Sequence, residues 1–107
     1  MKYGELTPML EKIVADYKAF SPGWETDKIR KQMVEEFIAG LTYEVGSKYI
    51  KIITGSSVHS FIVRNDNGKF KAGDILKAAS WRSPAKNFAR GNIFDGTLDR
   101  VRWTGAL

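Results

Sequence analysis

The hydrophobic pattern changes its period once, between residues 40 and 43, and that change limits the possible folds more than any other feature. Upstream, Met9, Leu10, Ile13, Val14, Tyr17 and Phe20 recur at the spacing of one helix face, with Glu11, Lys12, Asp16 and Lys18 on the other. Thr7 is placed as the N-cap and Pro8 as the first helical residue, where its missing N–H costs nothing. Ser21-Pro22-Gly23 stops this helix. A second opens near Thr26 or Asp27, lays Ile29, Met33, Val34, Phe37 and Ile38 along its apolar side, and ends at Gly40 as C-cap. The short connection predicts an antiparallel helical hairpin over residues 1–41. The exposed Glu35 and Glu36 argue against DNA reading by this pair, because a recognition helix is basic and polar on its free face.

Downstream the period is two. Tyr49–Thr54 and Ser57–Val63 read as strands joined through Gly55-Ser56, a pair suited to a type II′ turn. In the simple register Ile53 faces Val58, Ile52 faces His59 and Ile50 faces Phe61. Ile50, Ile52, His59, Phe61 and Val63 then share one side, and Tyr49, Lys51, Ile53, Val58, Ser60 and Ile62 the other. Both sides are largely apolar, which predicts a sheet covered on both faces or curled into a small barrel. Asn67-Gly68 predicts a type I′ hairpin pairing Asp66 with Lys69 and Asn65 with Phe70. Ile75–Ala79 and Leu98–Trp103 read as further strands. The expected fold is α+β: an N-terminal antiparallel helical hairpin, then a bent antiparallel sheet or small β-barrel of four to five strands over residues 42–107, with a short helix near 84–90. At 107 residues the chain makes one domain with one modest core.

Charge is distributed unevenly. Residues 1–40 hold six Lys/Arg against seven Asp/Glu, whereas residues 41–107 hold eleven against five, so the net charge of +5 arises in the second part. A localised positive excess marks a face for polyanions, or simply a solvated surface. Cysteine is absent, which removes disulfides and thiolate chemistry. The N-terminal residues lack the apolar run of a signal peptide, and no stretch approaches the length of a membrane span, so a soluble, cytoplasmic protein without membrane association is expected. His59, the single histidine, lies between apolar neighbours with no nucleophile or companion ligand in view, and reads as a packed structural residue. Asp95 and Asp99 flank Gly96-Thr97 and read as turn residues. With no nucleophile–base pair, no metal spacing and no phosphate loop, the expectation is a protein that is not an enzyme and takes no cofactor and no metal.

The distinctive stretch is Gly73–Gly96. Ser83 as N-cap, Pro84 at the first position and Gly91 as C-cap predict the short helix. Lys86 and Arg90, four apart, would share its outer face with Arg82 leaning toward them, while Ala85, Phe88 and Ala89 face the core. Cations beside rings are the composition of a nucleic-acid site: cations neutralise phosphates and an exposed ring stacks on a base. The candidate nucleic-acid residues are Lys77, Trp81, Arg82, Lys86 and Arg90, with Arg100 and Arg102 from the last strand.

The string Gly73-Asp-Ile-Leu-Lys-Ala-Ala-Ser-Trp-Arg-Ser-Pro-Ala-Lys-Asn-Phe-Ala-Arg-Gly-Asn-Ile-Phe-Asp-Gly96, together with Arg102-Trp-Thr-Gly105, resembles small uncharacterised proteins of tailed bacteriophages, including marine ones, over roughly residues 45–105. The resemblance implies a phage origin and expression in the host cytoplasm, and carries over no activity and no site residue. Two functions from different classes follow. One is an accessory module that binds single-stranded nucleic acid or RNA through the basic surface. The other is a structural or protein-interaction module that docks a protein partner or a second copy of itself.

Overall fold

The computed structural model describes residues 3–107. Tyr3–Leu6 forms a 3-10 turn that runs directly into α1 (Thr7–Phe20), followed by α2 (Lys28–Gly40). Thr7 is therefore already helical, and Leu6 stands at the N-cap position without a side-chain bond. The second boundary follows the expectation: Asp27 caps α2, its carboxylate accepting from the Ile29 and Arg30 N–H groups at 3.0 and 3.1 Å. Six strands follow: β1 (Leu41–Val45), β2 (Tyr49–Thr54), β3 (Ser57–Val63), β4 (Ile75–Lys77), β5 (Val101–Arg102) and β6 (Gly105–Ala106). β1 to β4 form an antiparallel sheet in chain order, and β5 pairs with β6 in a separate two-stranded sheet. The α+β class stands; the closed barrel does not form.

The sheet is apolar on both faces, and a β-bulge sorts the residues between them. Ile53 pairs with Val58 as the Gly55-Ser56 turn dictates, but Ile52 then pairs with Ser60, Lys51 with Phe61 and Ile50 with Ile62. His59 is the extra residue. The slip corrects the simple register: Ile50, Ile52, Ile62 and Ile75 now share one face, and Tyr49, Phe61, Val63 and Leu76 the other. On the isoleucine face lie Leu6, Met9 and Ile13 from the first helical segment, with Ile93, Val101 and Ala106 closing the cluster. Each large aliphatic side chain fully removed from water there contributes roughly 1.5–3 kcal/mol. The opposite cluster is smaller, with Phe70 and Ala89 completing it.

α2 is less embedded than α1. Val34 is its one buried residue, and Ile29 is 74% exposed. α2 meets α1 where Phe37 stacks on Tyr17, ring centroids 4.1 Å apart, and Trp103 sets its edge against both rings. Asp16 accepts from the Trp103 N–H at 2.8 Å, and the Lys12 ammonium donates to the Leu98 carbonyl, so the C-terminal segment is fastened to α1 by polar as well as aromatic contacts.

Two other expectations change. Asn67 and Phe70 exchange both backbone bonds (2.8 and 3.1 Å), so the central turn residues are Gly68 and Lys69, one later than Asn67-Gly68. Among the described residues only glycines take positive φ; Gly68, at +57°, supplies the single left-handed residue of a II′ pattern, where type I′ would require two. The short helix at 84–90 is absent. Its backbone runs beside β4 instead: Ala85 N–H donates to Lys77 O (2.7 Å), Arg90 N–H to Ile75 O (2.7 Å) and Ile75 N–H to Gly91 O (2.9 Å). A seven-residue helix is marginal, and these bonds satisfy the outer edge of a strand that would otherwise be open.

At the end of this segment Gly91 packs closely against the turn that follows. Its φ is +146°, and a Cβ there would overlap the Thr97 carbonyl oxygen. Gly91→Ala should therefore destabilise the protein by roughly 3 kcal/mol or more. Gly68→Ala, whose Cβ would point into open space, should cost about 1–2 kcal/mol from backbone conformation alone. Urea midpoints of the two variants check this, and equal shifts would contradict the close approach of Gly91 to the Thr97 carbonyl.

Candidate functional site

The segment after β4 turns tightly. Ala79 and Ser80 N–H both donate to Ser83 O (3.0 Å each), and Ser80 Oγ accepts from Arg82 N–H (3.4 Å) and Ser83 N–H (3.2 Å). Ser80, rather than Ser83, thus supplies the local side-chain bonds. The turn carries Trp81 and Arg82 at its tip. Arg82 lines a groove of about 320 Å³ over the Tyr49/Phe61 face of the sheet, together with Glu44, Lys48, Tyr49, Lys51 and Phe61. Lys51 lays its ammonium over the Trp81 indole, 4.5 Å from the ring centroid, and Trp81 remains 46% exposed. Tyr49 sets its ring edgewise on Phe61 at 5.9 Å.

The cations of this groove have little to hold them. Among the described residues the one ion pair within 4.0 Å is Arg30–Asp27, on α2. Lys48, Lys51 and Arg82 have no carboxylate at that distance, although Glu44 lies opposite Lys51 in the sheet register. Three cations against one carboxylate leave the groove positive.

The structure divides the seven candidate nucleic-acid residues. Arg82 lines the groove, and Trp81 lies beside it under the Lys51 ammonium. Lys77 on β4 and Lys86 in the loop are exposed, without side-chain bonds among the described residues. Arg90 is not on a surface ridge: it is 6% exposed, and its Nη1 donates to Asn87 Oδ1 (2.7 Å) and Phe88 O (2.8 Å) while the guanidinium lies 3.9 Å from the Phe88 ring centroid. The cause is the missing helix. Ala85 and Arg90 pair with Lys77 and Ile75 respectively, so residues 86–88 project outward and Arg90 turns inward to clasp them. Lys69 helps by donating to the Lys86 and Asn87 carbonyls. Arg100 approaches Phe88 at 5.6 Å and shares a different pocket with Arg90. Arg102 folds onto the Asp99 and Val101 carbonyls at 2.7 and 3.3 Å.

Lys48, Tyr49 and Lys51 were not among the expected site residues. The available signal was Lys51, a lone charge inside the apolar run Tyr49–Thr54, two residues from Tyr49 and so on the same strand face.

His59 is buried within the fold. Its Nε2 lies 2.6 Å from the Arg102 carbonyl, which only accepts, so Nε2 carries the proton and Nδ1 accepts from the Ser60 hydroxyl at 2.8 Å. Both ring nitrogens are occupied, Nε2 linking the bulge to β5 and Nδ1 bonding to the adjacent Ser60 of β3. Asp95 accepts from the Thr97 N–H and hydroxyl, which holds its carboxyl below the usual range, in keeping with a turn role.

The fold and groove define a small α+β protein with a basic, aromatic-edged groove on a sheet face. A family model described as "Family of unknown function (DUF7717)" matches residues 5–106, and the chain belongs to that family. No curated protein and no solved structure matches it. Among the described residues no helix is long and apolar enough to cross a membrane, and no group of three or more His, Cys, Asp or Glu side chains is placed to hold a metal ion.

Burial lowers the His59 pKa, the bond to Arg102 opposing it only in part. The unfolded chain takes up its proton near pH 6.5, the folded chain only at lower pH. His59 thus contributes its full stabilisation above pH 6.5 and loses it as pH falls below that value, by at most about 1.4 kcal/mol per pH unit. Urea unfolding of the wild type and His59→Gln should diverge in slope between pH 7.5 and 5; parallel curves would show that the ring does not titrate differently on folding.

Proposed function

We propose that the protein binds single-stranded nucleic acid, DNA or RNA, through the groove formed by Lys48, Lys51 and Arg82 beside Trp81. The observation that carries this reading is the gathering of three cations in one groove, none committed to a carboxylate within 4.0 Å, with one of them, Lys51, resting on an indole that is still open to solvent. Cations of this kind neutralise phosphates, and the exposed ring offers a base a stacking surface. Stacking requires a base whose face is free, which favours a single strand over a duplex. The acidic end of α2, Glu35 and Glu36, is unsuited to a major groove. A phage origin and host-cytoplasmic expression belong to the same proposal and rest on the sequence resemblance of the 73–96 stretch.

A second reading draws on α2. Ile29 and Met33 are exposed one turn apart, and Phe20 is exposed at the end of α1. Such a stripe suits a protein partner or a second copy of the chain. Oligomeric mass in solution, with no effect on nucleic-acid mobility, would favour this reading over the first.

Fluorescence anisotropy with a labelled single-stranded oligonucleotide tests the groove. Binding should weaken steeply as salt rises. Trp81→Ala should lose about 1–3 kcal/mol of binding free energy. Arg82→Ala and Lys51→Ala should each reduce the salt slope by about one, and Lys86→Ala should leave binding unchanged. A Lys48/Lys51/Arg82 triple alanine variant that binds as the wild type does would overturn the proposal.

A further inference from the structure

Arg90 is a buried cation without a counter-ion at contact distance. Among the described residues no carboxylate lies within 4.0 Å of its guanidinium. Its Nε is buried with no hydrogen-bond partner, the one such side-chain atom among the described residues. Leaving a charged donor unpaired in the interior is costly, so a group in this state calls for a ligand. The two bonds to Asn87 and Phe88 both use Nη1. The edge left over is Nε–H beside Nη2–H, the edge of a guanidinium that grips two oxygens of one oxyanion in parallel.

That side chain lines a pocket of about 330 Å³, and Arg100 lines the same pocket. Both guanidinium groups lie against the Phe88 ring, at 3.9 and 5.6 Å from its centroid. Two cations gathered on one ring repel each other, and an anion between them relieves the repulsion. Three carboxylates also line the pocket, and their states differ. Asp74 has both oxygens engaged, by Asn92 Nδ2 (2.9 Å) and Lys71 N–H (2.9 Å). Asp95 is turned onto Thr97. Asp99 is exposed, its carboxylate without a hydrogen bond among the described residues. None of them neutralises Arg90 directly, and exposed carboxylates are well screened by solvent.

We propose that this pocket binds a phosphate group, held by the Nε/Nη2 edge of Arg90 and by Arg100, with Asp99 limiting the affinity by like-charge repulsion. The site is distinct from the Lys48–Lys51–Arg82 groove, with which it shares no lining residue. The phosphate belongs either to a free phosphate ester or to a nucleic-acid backbone, and the chemistry of recognition is the same.

The buried Nε–H gives a direct readout. In a ¹H–¹⁵N spectrum of the full chain, the Arg90 Nε–Hε cross-peak should shift saturably as inorganic phosphate is added, and should not shift with chloride at matched ionic strength. Arg100→Ala should weaken the response roughly tenfold. Asp99→Asn should tighten it about twofold. Both substitutions are at exposed positions, so neither depends on the clasp that Arg90 forms. A short single-stranded oligonucleotide acting at lower concentration than phosphate assigns the group to a strand; an equal or weaker effect assigns it to a free ester. A cross-peak that phosphate leaves in place, or that moves identically in the wild type and Arg100→Ala, overturns the proposal. Loss of this response with intact binding at the Trp81 groove would separate its failure from failure of the nucleic-acid reading.

Discussion

The arrangement depends on one unpaired residue in β3. Without the bulge at His59, the strand would carry Phe61 and Val63 to the side of Ile50 and Ile52, and would send Ile62 to the other. A single-residue slip inverts every side chain beyond it. The bulge instead gathers four isoleucines under α1 and assigns the aromatic residues to the far face. It is held from outside the sheet by the bond from His59 Nε2 to the Arg102 carbonyl, while Nδ1 accepts from the Ser60 hydroxyl within β3. The two-stranded β5–β6 unit is thus tied to the bulge that sorts the core, and α1 is tied to the same unit through Asp16, Lys12 and Trp103.

What the sequence reveals of this is what local chemistry decides. The period of the two helices, the Asp27 cap and the Gly55-Ser56 turn were all legible, since each depends on residues a few positions apart. The bulge was not, because the contact that holds its residue is with a carbonyl 43 residues away. β1 was hidden for a related reason. Leu41–Val45 follows α2 with no intervening turn and leaves most of its side chains in water, so it shows no clean alternation of burial. The segment 84–90 carries sound helix punctuation at Ser83, Pro84 and Gly91, yet the outer edge of β4 offers its backbone better partners than one short helix would. Local preference and tertiary demand conflict there, and the tertiary demand prevails.

The same conflict decides which cations face solvent. Arg82 and Arg90 are the same residue type, eight positions apart, in a stretch that reads as one basic ridge. Backbone pairing of Ala85 and Arg90 with β4 leaves residues 86–88 as an excursion and draws the Arg90 side chain back across its base. Arg82, on the tip of a turn closed by Ser80 and Ser83, points instead to the groove above Tyr49 and Phe61. Charge counting along the chain cannot distinguish these outcomes, since both follow from hydrogen bonds made by main-chain atoms.

The two faces of the sheet consequently carry different obligations. The isoleucine face is filled by α1 and the C-terminal strands, which leaves it no room for a ligand. The aromatic face has only a partial cover, formed by Phe70, Ala78 and Ala89, and at the β1–β2 end a groove remains that Arg82 edges. Lys51 illustrates the result. It sits between Glu44 and Phe61 in the register, on a strand whose neighbouring residues are apolar, and its ammonium rests on Trp81 instead of a carboxylate. A lysine so placed contributes apolar packing through its stem and keeps its charge available at the mouth of the groove. The positive excess of the second part of the chain is therefore compatible with a stable core, because the cations stand at the margins of the aromatic cluster while the isoleucine face supplies most of the burial.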